Sequence, residues 1–408
     1  MSCNEWKETE IGRIPFNWDF ASMKDYVEIN MGQSPKSEFY NTTGEGLPFL
    51  QGNRTFGLKY PYYDTYTSEI KKKAHVGDVL FSVRAPVGDV NIATEECCIG
   101  RGIASLRIKN GSQGYLYYLL REYRRYIENR ESGTVFGSIN KKGLEELKLP
   151  FPPIEEQEKI ANILSSLDDK IELNNEMNKT LEEMAQALFK RWFVDFEFPN
   201  ENGEPYKSSG GEMVESELGM IPKGWEVKSL KNLINLTMGL SPKSSSYNND
   251  RIGMQLLNGA ADFNNTNIIP TKYTTDPKRI CNVGDIIFCI RGTIGNITFA
   301  DDTYCLGRGV ASLSPINDID RGIIFLNLNL MLDKLKANAS GSVILGISKS
   351  DIEDSKIIVS NKILREKFNG IFKSIYDDIK NSNEESNNLI KLRDTLLPKL
   401  MSGEIRVK

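Results

Sequence analysis

The sequence predicts an α+β protein with two related mixed α/β modules, joined by two long helices that form an antiparallel coiled coil. Three observations predict this fold: the chain repeats itself at a constant offset, each copy opens with short strand-like runs, and each copy ends in a long heptad pattern. The length of 408 residues suits two or three domains of ordinary size. A module of about 150 residues buries enough surface to fold without disulfides or metals.

The duplication is visible as short matches that keep one offset of 207 residues. The opening E-I-G-R-I-P-F-N-W at 10–18 returns as E-L-G-M-I-P-K-G-W at 217–225. Further matches follow in the same register: Met31-Gly32 and Met238-Gly239, Ser34-Pro35-Lys36 and Ser241-Pro242-Lys243, V-G-D at 76–78 and 283–285, Arg84 and Arg291, and G-R-G at 100–102 and 307–309. A register kept over this length indicates two copies of one module.

Each module is predicted to be rich in strands, with a surface of its own. Short alternating runs such as residues 78–84, bounded by Gly, Pro and Asn, indicate strands and turns. One helix is predicted over 114–130. Between the matches, residues 53–74 and their counterparts 260–281 diverge. One scaffold with two different surfaces is what a protein that reads two different short targets would need.

A long helix is predicted after each module, starting in the first copy after the prolines of Pro150-Phe151-Pro152-Pro153. Apolar residues then recur at spacings of four and three, which is a heptad seam. The seam positions are Ile160, Leu164, Leu167, Ile171, Asn174, Asn178, Leu181, Ala185, Leu188 and Trp192, and Phe368, Phe372, Ile375, Ile379, Ser382, Ser386, Leu389, Arg393, Leu396 and Leu400. We therefore divide the chain into residues 1–152, a first module; 153–198, a first spacer helix; 199–360, a linker and second module; and 361–408, a second spacer helix.

The polar centre of each seam suggests how the two helices pair. If they run antiparallel with aligned ends, Asn174 faces Ser386 and Asn178 faces Ser382, so polar positions meet, as a register device requires. Two separate helices, each packed on its own module, are the alternative. A second apolar stripe would cover either the module or helices of a partner; it comprises Ile163, Met177, Met184, Ile371 and Leu392.

Composition excludes several classes of protein. The net charge of −4 and the pI of about 5.5 argue against binding DNA through a general excess of basic residues, although a local basic face remains compatible. With one histidine and no C-x-x-C pair, a zinc site is not expected, and the six cysteines are interpreted as buried, reduced thiols. No signal peptide and no membrane-length apolar run is seen, so a cytoplasmic protein without membrane contact is expected.

No catalytic pattern is found either. His75 stands alone, which leaves no Ser-His-Asp or Cys-His arrangement, and no phosphate-binding G-x-x-x-x-G-K-[ST] loop occurs. The acidic stretch Asp195-Phe196-Glu197 is interpreted as a solvated linker. A non-catalytic protein is the prediction; the alternatives are a tandem protein-binding scaffold and an enzyme with an unrecognised site.

In its ordered set of motifs, the chain resembles the specificity subunit of type I restriction–modification systems. The resemblance rests on the two I-P-x-x-W openings, on G-D-V-L-F-S-V-R and G-D-I-I-F-C-I-R-G-T-I-G, and on the two G-R-G-x-A-S-L stretches. The helix ends A-L-F-K-R-W-F-V-D-F-E-F-P and L-L-P-K-L-M-S-G-E-I-R-V complete it.

This resemblance implies two target recognition domains and two spacer helices, with each domain reading half of a split double-stranded DNA target. It also implies that two modification subunits dock on the helices, and that restriction subunits join them. Neither a cofactor nor a metal is then expected in this chain, because S-adenosylmethionine and ATP belong to those partners. One departure is Arg84-Ala85-Pro86 where the second copy has Arg291-Gly292-Thr293, so the two turns are expected to differ in geometry.

Candidate DNA contacts follow from side-chain chemistry. Arg suits guanine and Asn or Gln suits adenine, while Lys, Arg and small hydroxyl residues suit phosphates. The candidates are Lys36, Gln51, Asn53, Arg54, Lys59, Tyr60, Arg84, Arg101, Ser132, Thr134, Lys141, Lys142, Lys243, Asn258, Arg291, Arg308, Ser342 and Lys349. Structural roles remain open for all of them: exposed loop lysines, half-buried strand tyrosines, arginines that hold a loop base together, or the N-cap of a short helix with solvated lysines.

Overall fold

The computed structural model describes residues 6–129, 137–264, 267–292, 294–339 and 346–407. The chain forms two units, of which unit 1 comprises Met1–Glu176 with Ser382–Lys408 and unit 2 comprises Met177–Asn381. No helix among the described residues is long and apolar enough to cross a membrane.

Unit 1 contains two main sheets. The antiparallel sheet has the strand order Val90–Ile92, Val79–Ser82, Ile103–Ile108 and Val27–Met31. The mixed sheet has the order Tyr40–Asn41, Tyr66–Thr67, Leu47–Leu50, Cys97–Ile99 and Lys73–Ala74, with a parallel pair in Leu47–Leu50 and Cys97–Ile99. The remaining strands are Trp6–Thr9 with Gly12–Pro15, and Asp19–Ser22 with Lys148–Phe151; the short helices are Met23–Tyr26, Gln113–Glu122, Arg124–Glu128 and Lys141–Glu146.

Unit 2 repeats this strand order. Its antiparallel sheet runs Ile234–Met238, Val310–Pro315, Ile286–Cys289 and Ile297–Phe299. Its mixed sheet runs Tyr247–Asn248, Lys272–Thr274, Met254–Leu257, Tyr304–Leu306 and Ile280–Cys281. Paired strands Met213–Ser216 and Gly219–Pro222, Glu226–Ser229 and Lys356–Val359, and Phe263–Asn264 and Asn267–Ile268 complete it, with helices Arg321–Asn338 and Lys349–Glu353. The predicted duplication and the mixed α/β class are confirmed.

The recurring V-G-D and A-S-L motifs meet inside each unit, which explains their recurrence. The Asp78 carboxylate is buried and accepts a hydrogen bond of 2.6 Å from the Ser105 hydroxyl. In the second copy, the Asp285 carboxylate accepts one of 3.0 Å from the Ser312 hydroxyl. A buried carboxylate is tolerated only when it is hydrogen-bonded, so these residues are fixed by the scaffold and not by a ligand.

The cysteines are buried, as predicted, wherever they fall in the described residues: Cys97, Cys98, Cys281, Cys289 and Cys305. Burial raises the pKa of the Cys97 and Cys289 thiols to about 12 and that of Cys281 to about 11. A thiol with so high a pKa stays protonated near neutrality and is a poor nucleophile. These cysteines therefore serve as small apolar core residues.

The prediction of a single helix over 114–130 is wrong. Two helices occur, Gln113–Glu122 and Arg124–Glu128, and Tyr123 between them has φ −87° and ψ 16°. The first helix is buried continuously from Tyr115 to Leu120 because it lies within the core of unit 1.

The two long helices comprise Ile154–Phe189, which continues as a π-helical turn over Lys190–Val194, and Lys362–Met401. In unit 1 the Asn174 amide donates hydrogen bonds to the Ser386 hydroxyl at 3.1 Å and to the Glu385 carboxylate at 2.8 Å. The predicted antiparallel register is thereby confirmed in unit 1. In unit 2 the rings of Trp192 and Phe368 lie 6.0 Å apart. Every predicted seam position is buried or half-buried.

A buried ion pair joins the two helices in unit 1. The Arg393 guanidinium lies 2.8 Å from the Asp168 carboxylate, and their side chains are only 9% and 7% exposed. The Tyr118 hydroxyl donates a further hydrogen bond of 2.7 Å to Asp168. A charged residue, Arg393, is thus accommodated in the heptad seam because Asp168 on the facing helix carries the opposite charge.

The opening motif of the first copy meets the end of the second long helix. The Trp18 indole N–H donates to the Glu156 carboxylate at 3.0 Å, and the Arg406 guanidinium donates to the same carboxylate at 2.7 and 3.0 Å. Leu400 and Met401 are buried in the core of unit 1. The C-terminal segment therefore completes the first unit.

In unit 2 the corresponding tryptophan, Trp225, packs against the segment that follows the first long helix. Its ring lies 5.6 Å from Phe196 and 5.0 Å from Phe198. The interpretation of Asp195-Phe196-Glu197 as a solvated linker is therefore wrong, because Phe196 is 7% exposed. Phe196 adopts a left-handed φ of 61°, and its aromatic contacts offset the conformational cost of that backbone.

We expect Arg393→Ala to lower the free energy of unfolding by about 1–3 kcal/mol, because it removes the nearest cation and a charged hydrogen bond from the buried Asp168 carboxylate, which keeps Arg121 at 3.6 Å and the Tyr118 hydroxyl. Urea denaturation of the full chain measures this. Arg13→Ala is the control, since Arg13 pairs with Glu8 at 2.6 Å while their side chains are 72% and 73% exposed. Its expected loss is under about 1 kcal/mol. Equal losses in the two variants would contradict a structural role for the buried pair.

Candidate nucleic-acid interface

Three loops of unit 1 come together through unusually close backbone contacts. The amide of Gly32 donates to the carbonyl of Ile103 at 2.9 Å, and the amide of Gly102 donates to the carbonyl of Gln51 at 3.1 Å. A Cβ atom on Gly32 would lie 2.2 Å from the carbonyl oxygen of Gly100, and one on Gly102 would lie 2.5 Å from that of Gln51. Glycine is required at both positions because no side chain fits between the loops.

This packing brings four predicted residues into one pocket. Gln51, Asn53, Arg84 and Arg101 all line it. Gln51, Arg84 and Arg101 are exposed, and we call these three residues the first basic patch. Arg101 is oriented at its backbone, where its amide donates to the Ser34 hydroxyl at 3.1 Å.

Unit 2 repeats the same loop contacts. A Cβ atom on Gly239 would lie 2.1 Å from the Gly307 carbonyl oxygen, and one on Gly309 would lie 2.1 Å from that of Asn258. The Arg308 amide donates to the Ser241 hydroxyl at 3.2 Å, and its Nε–H donates to the same hydroxyl at 3.3 Å. Arg308 lies between Gly307 and Gly309, which both pack against Asn258, and the amide of Ile290, next to Arg291, donates to the Gly309 carbonyl at 2.9 Å. Arg291 and Arg308 are exposed, and Asn258 is half-buried. We call Asn258, Arg291 and Arg308 the second basic patch.

The arginines of both patches are available to an external anion. Arg84, Arg101, Arg291 and Arg308 form no ion pair with any carboxylate of the described residues. The two candidate lysines of the Ser-Pro-Lys turns differ from each other: Lys36 lies 3.5 Å from Glu38, whereas Lys243 forms no ion pair with an acidic residue among those described. The chain is acidic overall, yet it carries two local sites of uncompensated positive charge.

Asn53, Arg54, Lys59 and Tyr60 follow Gln51 of the first basic patch along the chain. The Asn53 amide donates to the Asp89 carboxylate at 2.5 Å, and Arg54 forms two hydrogen bonds with Asp64 at 2.8 and 2.7 Å. Asp64, by hydrogen bonding and charge, raises the pKa of the Arg54 guanidinium. Both Asn53 and Arg54 are therefore held in place at the edge of the patch.

Lys59 differs from the other candidate lysines because its side chain is buried, and Tyr60 packs next to it. Lys59 is 8% exposed and its ammonium lies 2.6 Å from the Asp169 carboxylate on the first long helix. Tyr60 is 37% exposed and lies beneath that ammonium, 5.4 Å from it. The lysine charge is compensated and covered, so we leave Lys59 out of the proposed contacts.

The short helices Lys141–Glu146 and Lys349–Glu353 are each capped by the side chain of the preceding residue. Asn140 accepts a hydrogen bond from the Gly143 amide at 2.8 Å, and Ser348 accepts one from the Asp351 amide at 3.2 Å. Lys141, Lys142 and Lys349 are exposed and each pairs with a glutamate one turn later. These contacts match the N-cap alternative with solvated lysines. Three further candidates, Ser132, Thr134 and Ser342, lie outside the described residues.

Comparison with known proteins agrees with this geometry. A family model described as the type I restriction modification DNA specificity domain matches residues 15–183 and again residues 222–391. The chain belongs to this family of specificity subunits. The type I restriction enzyme MjaIX specificity subunit of Methanocaldococcus jannaschii is 30% identical, over 99% of this chain and 97% of that protein.

One further relative and one solved structure are also similar to this chain. The HindI specificity subunit of Haemophilus influenzae is 26% identical, over 98% of this chain and 100% of that protein. The crystal structure of a type I restriction–modification S subunit from M. genitalium has the same fold, with a TM-score of 0.63 and 19% identity over 94% of this chain and 96% of that one. The specificity subunit is a non-catalytic component. Its described residues contain no cluster of three or more His, Cys, Asp or Glu side chains suited to a metal.

Sequence reasoning missed the residues of the specificity subunit that hold the patches in place. The hydroxyls of Ser34 and Ser241 each orient a patch arginine, and their recurrence in both copies was the available signal. Asp64 and Asp89 fix Arg54 and Asn53 from positions 10 and 36 residues away. No spacing rule connects such pairs, because the path of the intervening loop brings them together.

We expect Gly102→Ala to destabilise the specificity subunit by about 1–3 kcal/mol, because the new methyl group overlaps the Gln51 carbonyl. Gly52→Ala is a control from the same loops. No described atom lies within 4 Å of the position that its methyl group would take, and its φ of −163° is open to any residue. Thermal unfolding of both variants should show a lower Tm for the first alone. An unchanged Tm in Gly102→Ala would contradict the close packing of the loops.

Proposed function

We propose that this chain reads a bipartite double-stranded DNA target for a type I restriction–modification complex in the cytoplasm. Residues 1–152 and 199–360 act as the two target recognition domains, and residues 153–198 and 361–408 act as spacer helices. Each domain reads one half of the target, and the coiled coil sets the distance between the halves. Methyl transfer, ATP use and cleavage belong to the modification and restriction subunits.

The two basic patches are the observation that carries this proposal. In unit 1 the exposed Arg84 and Arg101 line one pocket with Gln51. In unit 2 the exposed Arg291 and Arg308 and the amide residue Asn258 occupy the equivalent positions of the same three-loop framework. Arginines without acidic partners suit DNA phosphates, and Gln or Asn suits a base edge. The segments beside the patches differ between the two copies, so the two half-sites should differ as well.

The long helices offer a surface for partner subunits. Ile163 of the second apolar stripe packs on the core of unit 1, so the module covers that part. Leu173 and Leu392 in unit 1 are 52% and 47% exposed, and Met177 and Met184 in unit 2 are 43% and 55% exposed. Exposed apolar side chains at this density on helices are typical of an interaction surface. We propose that two modification subunits dock there.

Selection of bound duplexes from a randomised DNA library tests the proposed function. The full chain would be used together with its modification subunits at moderate salt, and two short motifs at one fixed spacing are expected. Replacement of residues 1–152 by the equivalent module of another specificity subunit should change one motif and leave the other intact. Failure to enrich any sequence in a well-folded complex would overturn the proposal and favour a protein-binding scaffold.

The patch arginines should contribute affinity more than base preference. We expect a combined Arg84→Ala and Arg101→Ala variant to bind all sequences more weakly, and the slope of log affinity against log salt to fall by about one for each phosphate that is no longer bound. Arg13→Ala is the control, because Arg13 is also exposed but pairs with Glu8. An unchanged slope in the double variant would remove both arginines from the interface.

A further inference from the structure

Arg54 differs from the patch arginines in how it is held. Its Nη1–H and Nη2–H donate to the two oxygens of Asp64, at 2.8 and 2.7 Å, so the carboxylate engages the end of the guanidinium. This arrangement leaves the adjacent edge, formed by Nε–H and the second Nη2–H, without a partner among the residues that the structure describes. The guanidinium has five donors in two such forks, and only one is used.

The unused edge faces solvent beside the first basic patch. The Arg54 side chain is 67% exposed, and Arg54 lines a groove that shares Gln51, Gly52 and Asn53 with the pocket of Arg84 and Arg101. It therefore lies on the part of unit 1 that carries the uncompensated positive charge.

The backbone beneath Arg54 is also fixed. Arg54 belongs to the 3-10 turn Asn53–Thr55, in which the Asn53 side chain bonds to Asp89 and Thr55 is 4% exposed. An arginine fixed at both its backbone and its guanidinium plane loses little conformational entropy when it binds. Such preorganisation favours recognition of a planar acceptor pair in one orientation, whereas a phosphate accepts hydrogen bonds from many directions.

We propose that Arg54, oriented by Asp64, reads a guanine in the half-site of the first domain, by donating from its free edge to the guanine O6 and N7 in the major groove. This inference rests on the proposed function. At the same offset the second copy has Ala261 and Thr271 in place of Arg54 and Asp64. The second domain therefore has no equivalent reader, and the guanine contact belongs to one half-site only.

Arg54→Lys is the decisive variant, because lysine keeps the charge and loses the planar fork. In library selection with the full chain and its modification subunits, we expect one guanine position of one half-site to lose its preference. Discrimination against the other bases there should fall about ten-fold to a hundred-fold. Asp64→Asn should weaken the preference at the same position, and Arg13→Ala should leave it unchanged.

Two results would overturn the inference. Equal weakening of binding to all sequences by Arg54→Lys and Arg54→Ala, without a change at any base, would show a phosphate contact. An unchanged motif and affinity would show that Arg54 is remote from DNA. A wild-type complex that enriches no sequence would instead refute the proposed function itself, so the two failures are distinguishable.

Discussion

The carboxylate of Glu156 is the point on which the organisation of unit 1 depends. It accepts hydrogen bonds from Trp18 in the opening motif and from Arg406 near the other end of the chain, so three distant segments share one buried acceptor. The same helix contributes Asp168, which pairs with Arg393 on the second long helix. Because the Glu156 and Asp168 carboxylates are buried, each is stable only while its partners are present. The first module and the helix segments of unit 1 are thereby tied together.

The duplicated residues fall into two physical classes. Asp78, Ser105 and the close-packed glycines are repeated because the framework needs them: their hydrogen bonds and close contacts leave no freedom for substitution. Arg84, Arg101 and their counterparts are repeated without any carboxylate partner in the described part of the chain. Side chains of the first class build the scaffold, and those of the second class give an acidic protein two local sites of positive charge.

Periodic and repeated features could be predicted from the sequence. The offset of 207 residues predicted the common strand order, and the polar heptad positions predicted the pairing of Asn174 with Ser386. Features that depend on a loop's path could not be predicted. The ion pair of Lys59 with Asp169 and the support of Arg54 by Asp64 each join residues with no periodic relation. The burial of Phe196 was not predicted, because its acidic neighbours on both sides indicate an exposed segment. Its contact with Trp225 buries it nevertheless.

The discontinuity of unit 1 has a consequence for how the chain folds during synthesis. Unit 2 is one continuous stretch from Met177 to Asn381, so all residues of its core have been synthesised once Asn381 has left the ribosome. The hydrogen bond between Glu156 and Arg406 can form only after a further 250 residues have been synthesised, and contacts of such long sequence separation form slowly. Until then the core sites of Leu400 and Met401 remain open, and exposed apolar surface favours aggregation. A nascent chain arrested before residue 400 would thus be least stable in unit 1, whose first 176 residues are synthesised before unit 2.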